Sequence, residues 1–161
     1  MSVSKEKPEY KLSTDELEDI LGKTHPSDLD RFMSENESEL LGEDREFTRY
    51  LNIKLKEKKI LKKDMYLRAD ISENYGSKLV TMEKKTAQRD VILRLLYAAH
   101  FSLDEVQHAL RLYQMPLLYA RDPRDALLMS CISNPPGDII ELNELLVKNN
   151  LQPLRSSGVQ E

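Results

Sequence analysis

RDVILRLLYAAHFSLDEVQHALRLYQMPL, residues 89–117, recurs as RDALLMSCISNPPGDIIELNELLVKNNLQPL, residues 124–154. The offset is 35 at Arg89/Arg124, 36 at Ser102/Asp138 and Glu105/Glu141, and 37 at Pro116/Pro153, so each slip reads as one loop residue. Each copy has an Arg-Asp start, an apolar helix, a capped second helix and a Pro-Leu stop. This is the outline of a duplicated helical hairpin. One such hairpin cannot bury its apolar face alone, so the copies are expected to pack on each other or on what precedes them. In the first copy Val91, Ile92, Leu95, Leu96 and Ala99 line one helix. A Ser102/Glu105 capping box then opens a second helix with the stripe Leu103, Val106, Leu110 and Tyr113. In the second copy Asp122 caps, Pro123 takes the first helical position, and Asp125 complements the helix dipole. Asn134 to Gly137 breaks the chain, and Asp138/Glu141 repeats the capping box before Ile139, Leu142, Leu145 and Leu146. The recurring carboxylates Asp90, Asp125, Glu105 and Glu141 are accounted for by capping or by pairing with Arg89 and Arg124.

Upstream of the repeat the pattern stays helical. Residues 1–12 have no periodicity and read as a disordered tail. Ser13/Glu16 is a capping box for a short helix carrying Leu17, Ile20 and Leu21, which Gly22 should stop. His25-Pro26-Ser27 makes a turn, with Ser27 expected to cap a second helix carrying Leu29, Phe32 and Met33. Residues 13–42 thus form an acidic two-helix appendage. From Glu43, the residues Phe47, Tyr50, Leu51, Ile53, Leu55 and Ile60 mark a long amphipathic helix with Lys54, Lys56, Lys58 and Lys59 outside. Leu61 to Lys63 breaks it. Asp64 to Ala69 is a short helix, Asp70-Ile71-Ser72 a tight corner, and Glu73 to Val80 a second short helix capped by Ser72. Thr81 to Ala87 connects to the repeat, and residues 155–161 read as a flexible tail. No segment reads as a strand, so the fold class is all-α.

Composition narrows the function classes. With 161 residues, 40% hydrophobic and 32% charged, the chain can bury roughly 70% of its unfolded surface and reads as globular. No apolar run approaches the ~18 residues of a membrane span, and the polar start lacks a signal peptide's apolar stretch, so a cytoplasmic location is expected. The single cysteine, Cys131, leaves no internal disulfide and reads as a buried small hydrophobe. His25, His100 and His108 are too scattered for a metal cluster, and Gly76 and Gly137 stand alone rather than in a phosphate-binding loop. No context nominates a nucleophile. No catalytic residue, cofactor or metal is therefore expected. The net charge of −4 hides a segregation: residues 1–44 carry −8, residues 45–90 carry +6 and residues 91–161 carry −2. A basic middle third is a candidate polyanion-binding surface, and the acidic segment a candidate mask for it.

KEKKILKKDMYLRADISENYGSKL, residues 56–79, followed by RDVILRLLYAAHFSLDEVQHAL, residues 89–110, resembles the lambda-repressor-like (XRE/Cro-type) helix-turn-helix family. The chain is also similar to a group of small Firmicutes proteins that append the Arg-Asp repeat to such a domain. The resemblance implies a five-helix domain over residues 43–117, with the second hairpin, residues 118–154, duplicating helices four and five. It also implies double-stranded DNA as partner, with Ser72, Asn74, Tyr75, Ser77 and Lys78 on a recognition helix. Lys62, Lys63, Lys84 and Lys85 fall where such domains touch phosphates. The family's usual corner glycine is Asp70 here, a residue that tolerates the left-handed conformation. The Glu-x-Gly that usually follows the recognition helix is replaced by TMEKKTA. The recognition helix has no arginine to grip guanine, so readout would rest on Asn74, Ser77 and Lys78. The expectation is a non-enzymatic DNA-binding transcriptional regulator. The alternative is a protein-interaction adaptor on a degenerate helix-turn-helix scaffold, with a protein partner or a homodimer held through the C-terminal hairpin.

Overall fold

The computed structural model describes residues 11–36 and 45–156, and every described element is helical: nine α-helices, one 3₁₀ turn and no strand. The expected tail at residues 1–10, the linker at 37–44 with the helix start at Glu43, and the last residues, 157–161, lie outside the described residues. The chain divides into two compact units, Met1–Glu43 and Asp44–Glu161.

In the first unit α1 (Thr14–Lys23) opens on the expected capping box: the Glu16 amide donates to Ser13 Oγ at 3.2 Å and the Ser13 amide to Glu16 Oε2 at 2.8 Å. Gly22 does not stop this helix. The chain stays helical through Lys23, and Thr24 ends it, donating its hydroxyl to the Ile20 carbonyl at 2.7 Å. Nor does Ser27 cap the next helix. It sits inside the 3₁₀ turn Pro26–Asp28, where its amide donates to His25 Nδ1 at 3.1 Å, and α2 (Leu29–Glu35) begins behind Asp28. Of the described residues here, Phe32 alone is buried, while Ile20, Leu21, Leu29 and Met33 remain exposed.

The second unit is built from α3 (Arg45–Lys58), α4 (Lys62–Ala69), α5 (Glu73–Val80), α6 (Arg89–Ala98), α7 (Leu103–Leu112), α8 (Pro123–Ser133) and α9 (Ile139–Lys148). The centre is α6, buried without interruption from Val91 to Ala98 and packed against α4, α7 and α9. A helix buried on every face belongs in the middle of a core. Helix α3 packs on α5 and α7, and α8 joins α7 to α9, so both hairpins share one core. The break before α4 comes two residues earlier than the periodicity predicts, at Lys59 to Leu61, because Lys59 turns left-handed and ends α3.

That ending recurs. Lys59, Asp70, His100, Gln114 and Asn150 all have φ between 54° and 62°, and none is glycine. In each case the next residue's amide reaches back to a buried residue of the last turn: Ile60 to Leu55, Ile71 to Tyr66, Phe101 to Leu96, Met115 to Leu110 and Leu151 to Leu146, at 2.8–3.2 Å. These are Schellman endings, which normally call for glycine. Here the apolar residue that follows packs on the core, and its burial offsets the roughly 1–2 kcal/mol that a left-handed side chain costs.

The two hairpins are held by exchanged ion pairs. Arg89 forks onto Asp125 (Nη2–Oδ1 2.6 Å, Nη1–Oδ2 3.2 Å), while Arg124 forks onto Asp90 (Nη1–Oδ1 3.0 Å, Nη2–Oδ2 2.9 Å). Each arginine also ties down its own copy's closing loop, Arg89 through the Pro116 and Leu117 carbonyls and Arg124 through those of Gln152 and Pro153. The Tyr119 amide donates to Asp125, as the Arg155 amide does to Asp90. Gln107 accepts from the Leu118 amide, as Asn143 does from that of Leu154. These equivalences fix the register at 36 from Ser102 to the end of the copy, so the offset of 37 read from the Pro-Leu pairs is corrected. Leu117 corresponds to Pro153 and the buried Leu118 to the buried Leu154. A single inserted residue accounts for the drift: the four residues 134–137 after α8 replace the three residues 99–101 after α6.

Candidate nucleic-acid interface

The corner between α4 and α5 is three residues long. Asp70 takes it left-handed (φ 54°, ψ 50°), and the Ile71 amide donates to the Tyr66 carbonyl at 3.0 Å. Ser72 then caps α5, accepting from the Tyr75 amide at 3.3 Å. Gly76 makes the helix crossing fit: a β-carbon there would stand 2.5 Å from Tyr66 Cδ1. Burial, together with nearby Glu73, pushes the Tyr66 hydroxyl above its ordinary pKa. At the far end of α5 the Thr48 hydroxyl donates to the Val80 carbonyl at 2.7 Å and ties the helix to α3.

Ser72 and Asn74 are exposed at the start of α5, with Glu73 between them. Ser77 and Lys78 are half-buried, and the Ser77 hydroxyl is engaged with the Asn74 carbonyl at 3.1 Å. Tyr75, expected on the nucleic-acid face, is turned partly into the protein. Its ring is half-buried, its hydroxyl is buried, and Lys84 Nζ lies 5.2 Å from the ring centroid. Lys84 is also brought to α5 by its amide, which donates to the Lys78 carbonyl at 3.0 Å. Lys85 follows it, exposed. Lys62 and Lys63 are exposed in the first turn of α4 and join the face only through the packing of α4 on α5. The sequence reading passed over Arg68, in the last turn of α4. It is exposed, its Nη1 lies 3.2 Å from His100 Nε2, and its place just before the corner was the available signal.

Part of the basic charge is turned inward. Lys54 and Lys58, expected outside on α3, are half-buried against α7. There Lys58 Nζ lies 2.8 Å from Glu105 Oε1 and Lys54 Nζ 3.5 Å from Glu105 Oε2. Burial alone would raise the Glu105 pKa, but the Lys58 bond and the Ser102 amide outweigh it and hold the carboxyl below its ordinary value. Burial opposes the charge on Lys54, yet Glu57 and Glu105 outweigh it and raise its pKa. Tyr50, 4.6 Å from His108 ring to ring, completes this contact.

Arg94 is the buried cation of α6. Its guanidinium donates to the carbonyls of Ala69 (3.1 Å), Leu154 (2.7 Å) and Arg155 (2.7 Å), bracing the C-terminal end of α4 against the chain that follows α9. Burial lowers its pKa, with Asp70 and Asp90 opposing. It borders an open hollow of about 490 Å³ with Asn143 and Arg155, but three N–H groups held by carbonyls make it a brace. Cys131 is buried, and burial raises its thiol pKa. Among the described residues no group of histidine, cysteine and carboxylate side chains is arranged to hold a metal, and no helix is long and apolar enough to cross a membrane. No family model, curated protein or solved structure matches the chain.

Proposed function

We propose that this chain is a non-enzymatic, cytoplasmic DNA-binding regulator of the helix-turn-helix type, with α4 and α5 as the motif and the start of α5 entering a major groove. The supporting observation is the three-residue corner at Asp70 between two short helices, with Ser72 and Asn74 exposed on α5 and Lys62, Lys63, Lys84 and Lys85 exposed on either side. In this reading the lysines take phosphates and Asn74 supplies the base contact. Glu73 limits the approach of phosphate, so specificity is modest. With about four phosphate contacts, log affinity falls with log salt at a slope near −4. The test is a titration of randomised duplex at several salt concentrations with the intact chain and a Lys62/Lys63/Lys84/Lys85→Ala variant. A steep slope that is lost in the variant supports the reading, and undetectable or salt-independent binding by both refutes it.

A second reading, a protein-interaction adaptor on the same scaffold, is favoured by one observation. Leu61 and Leu67 on the α4 side are 60% and 79% exposed, an apolar surface that phosphate contacts do not use.

A further inference from the structure

The matched capping boxes and the matched Gln107 and Asn143 bonds make α7 and α9 counterparts at an offset of 36, so each position on one can be judged by its use on the other. Helix α7 already holds a partner helix. Glu105 keeps its capping bond to the Ser102 amide at 2.9 Å and still takes Lys58 and Lys54 of α3, while His108 meets Tyr50. The counterparts of Glu105 and His108 are Glu141 and Glu144. Glu141 keeps the same capping bond, from the Asp138 amide at 2.8 Å, yet both side chains are exposed, and no ion pair reaches either among the described residues. Beside them the solvent-facing charges of α7 are replaced by aliphatics. Asp104 becomes Ile140, 70% exposed, and Arg111 becomes Val147, 57% exposed. Phe101, buried beside Tyr50 and Lys58 of α3, becomes Gly137, which brings no ring to this end of α9.

We propose that this face of α9, formed by Ile140, Glu141, Glu144 and Val147, docks a lysine-bearing amphipathic helix of a partner protein, its carboxylates meeting lysines as Glu105 meets those of α3. The two carboxylates specify a cation-rich occupant, and the two aliphatics specify an apolar stripe beside its lysines. In α3 that chemistry is written as Tyr50, Leu51, Lys54, Leu55 and Lys58. The proposal rests on α9 and stands whether or not the α4–α5 face binds DNA.

The probe is a synthetic peptide of residues 45–60 of this chain, REFTRYLNIKLKEKKI, titrated into isotope-labelled full-length protein beside a scrambled peptide of equal composition. Saturable shifts centred on Ile140, Glu141, Glu144 and Val147 are expected. Reversing both carboxylates (Glu141→Lys with Glu144→Lys) should weaken binding by at least about tenfold, and Asp104→Lys on α7 by less than about twofold. Because Glu141 also caps α9, a second variant, Ile140→Ser with Val147→Ser, must weaken binding while leaving the melting temperature unchanged. Four results overturn the proposal: no binding; equal binding of the scrambled peptide; shifts centred on Glu105 and His108 or on residues 14–36; and self-association of the chain through α9 without peptide.

Discussion

Replacing Arg89 with Met removes the cation from Asp125 and leaves the volume of the side chain largely intact. The Asp125 side chain is 6% exposed, and once Arg89 is gone its hydrogen bond from the Tyr119 amide at 3.0 Å is what remains to it. Stripping one partner from a buried pair costs about 3–5 kcal/mol, because a desolvated charge is left behind. Against a total stability of about 5–15 kcal/mol that is a large fraction. At about 2–4 °C per kcal/mol the melting temperature should fall by roughly 6–20 °C. Asp125→Asn added to Arg89→Met removes the stranded charge and should restore part of the loss. The sister pair is more exposed at its acid, 14% for Asp90, so Arg124→Met should cost less than Arg89→Met. Urea unfolding of wild type, both single variants and the double variant measures the coupling. A loss below about 1 kcal/mol for Arg89→Met, or a double variant equal to the sum of its parts, would refute the view that the hairpins are locked by exchanged charges.

Gly76→Ala should destabilise by about 1–3 kcal/mol, because the new methyl meets the buried Tyr66 ring at 2.5 Å and this outweighs alanine's helix preference. Gly22→Ala, where nothing lies within 4 Å, should instead stabilise α1 by up to about 1 kcal/mol; circular dichroism on the two variants reads opposite signs. Glu105 has a depressed folded pKa, so its contribution is present above the unfolded carboxylate value near 4.3 and is lost as pH falls through the lower folded value. The melting-temperature gap between wild type and Glu105→Gln should therefore be widest near neutrality and close below about pH 4, and a gap that widens in acid contradicts the Lys58–Glu105 contact. Gln114→Gly should raise the melting temperature by about 2–4 °C, since glycine relieves the left-handed strain at φ 62° without disturbing Met115.

The helices were legible because their signals are local. Capping boxes at Ser13, Ser102 and Asp138, the Asp122-Pro123 start and the Ser72 cap all appear where side-chain chemistry demands them. The misreadings came where a distant contact decides. Gly22 reads as a stop, whereas α1 runs on to Lys23, and α3, α6 and α7 stop at left-handed Lys59, His100 and Gln114, each chosen by the apolar residue that follows it. The Pro-Leu echo misled the register because the pair resembles itself in letters, while burial follows Leu118 and Leu154. Lysine counts overstated the basic surface, since Lys54 and Lys58 are drawn inward by a glutamate 47 residues or more away along the chain. The α4–α5 corner was fully visible, but the burial of Tyr75 under Lys84 depends on a loop with no periodic signal.

The crossed arginine-aspartate contacts also set the size of the array. In an open solenoid each unit offers its successor a free end, and length is limited by capping. Here Arg89 and Arg124 are each answered by the aspartate of the other copy, as in a two-fold interface, so among the described residues the set closes on itself and offers no docking pair to a third hairpin. A third unit could be added only by opening a pair already made. The duplication is therefore finished at two, and losing either hairpin would leave its sister with an unanswered charge.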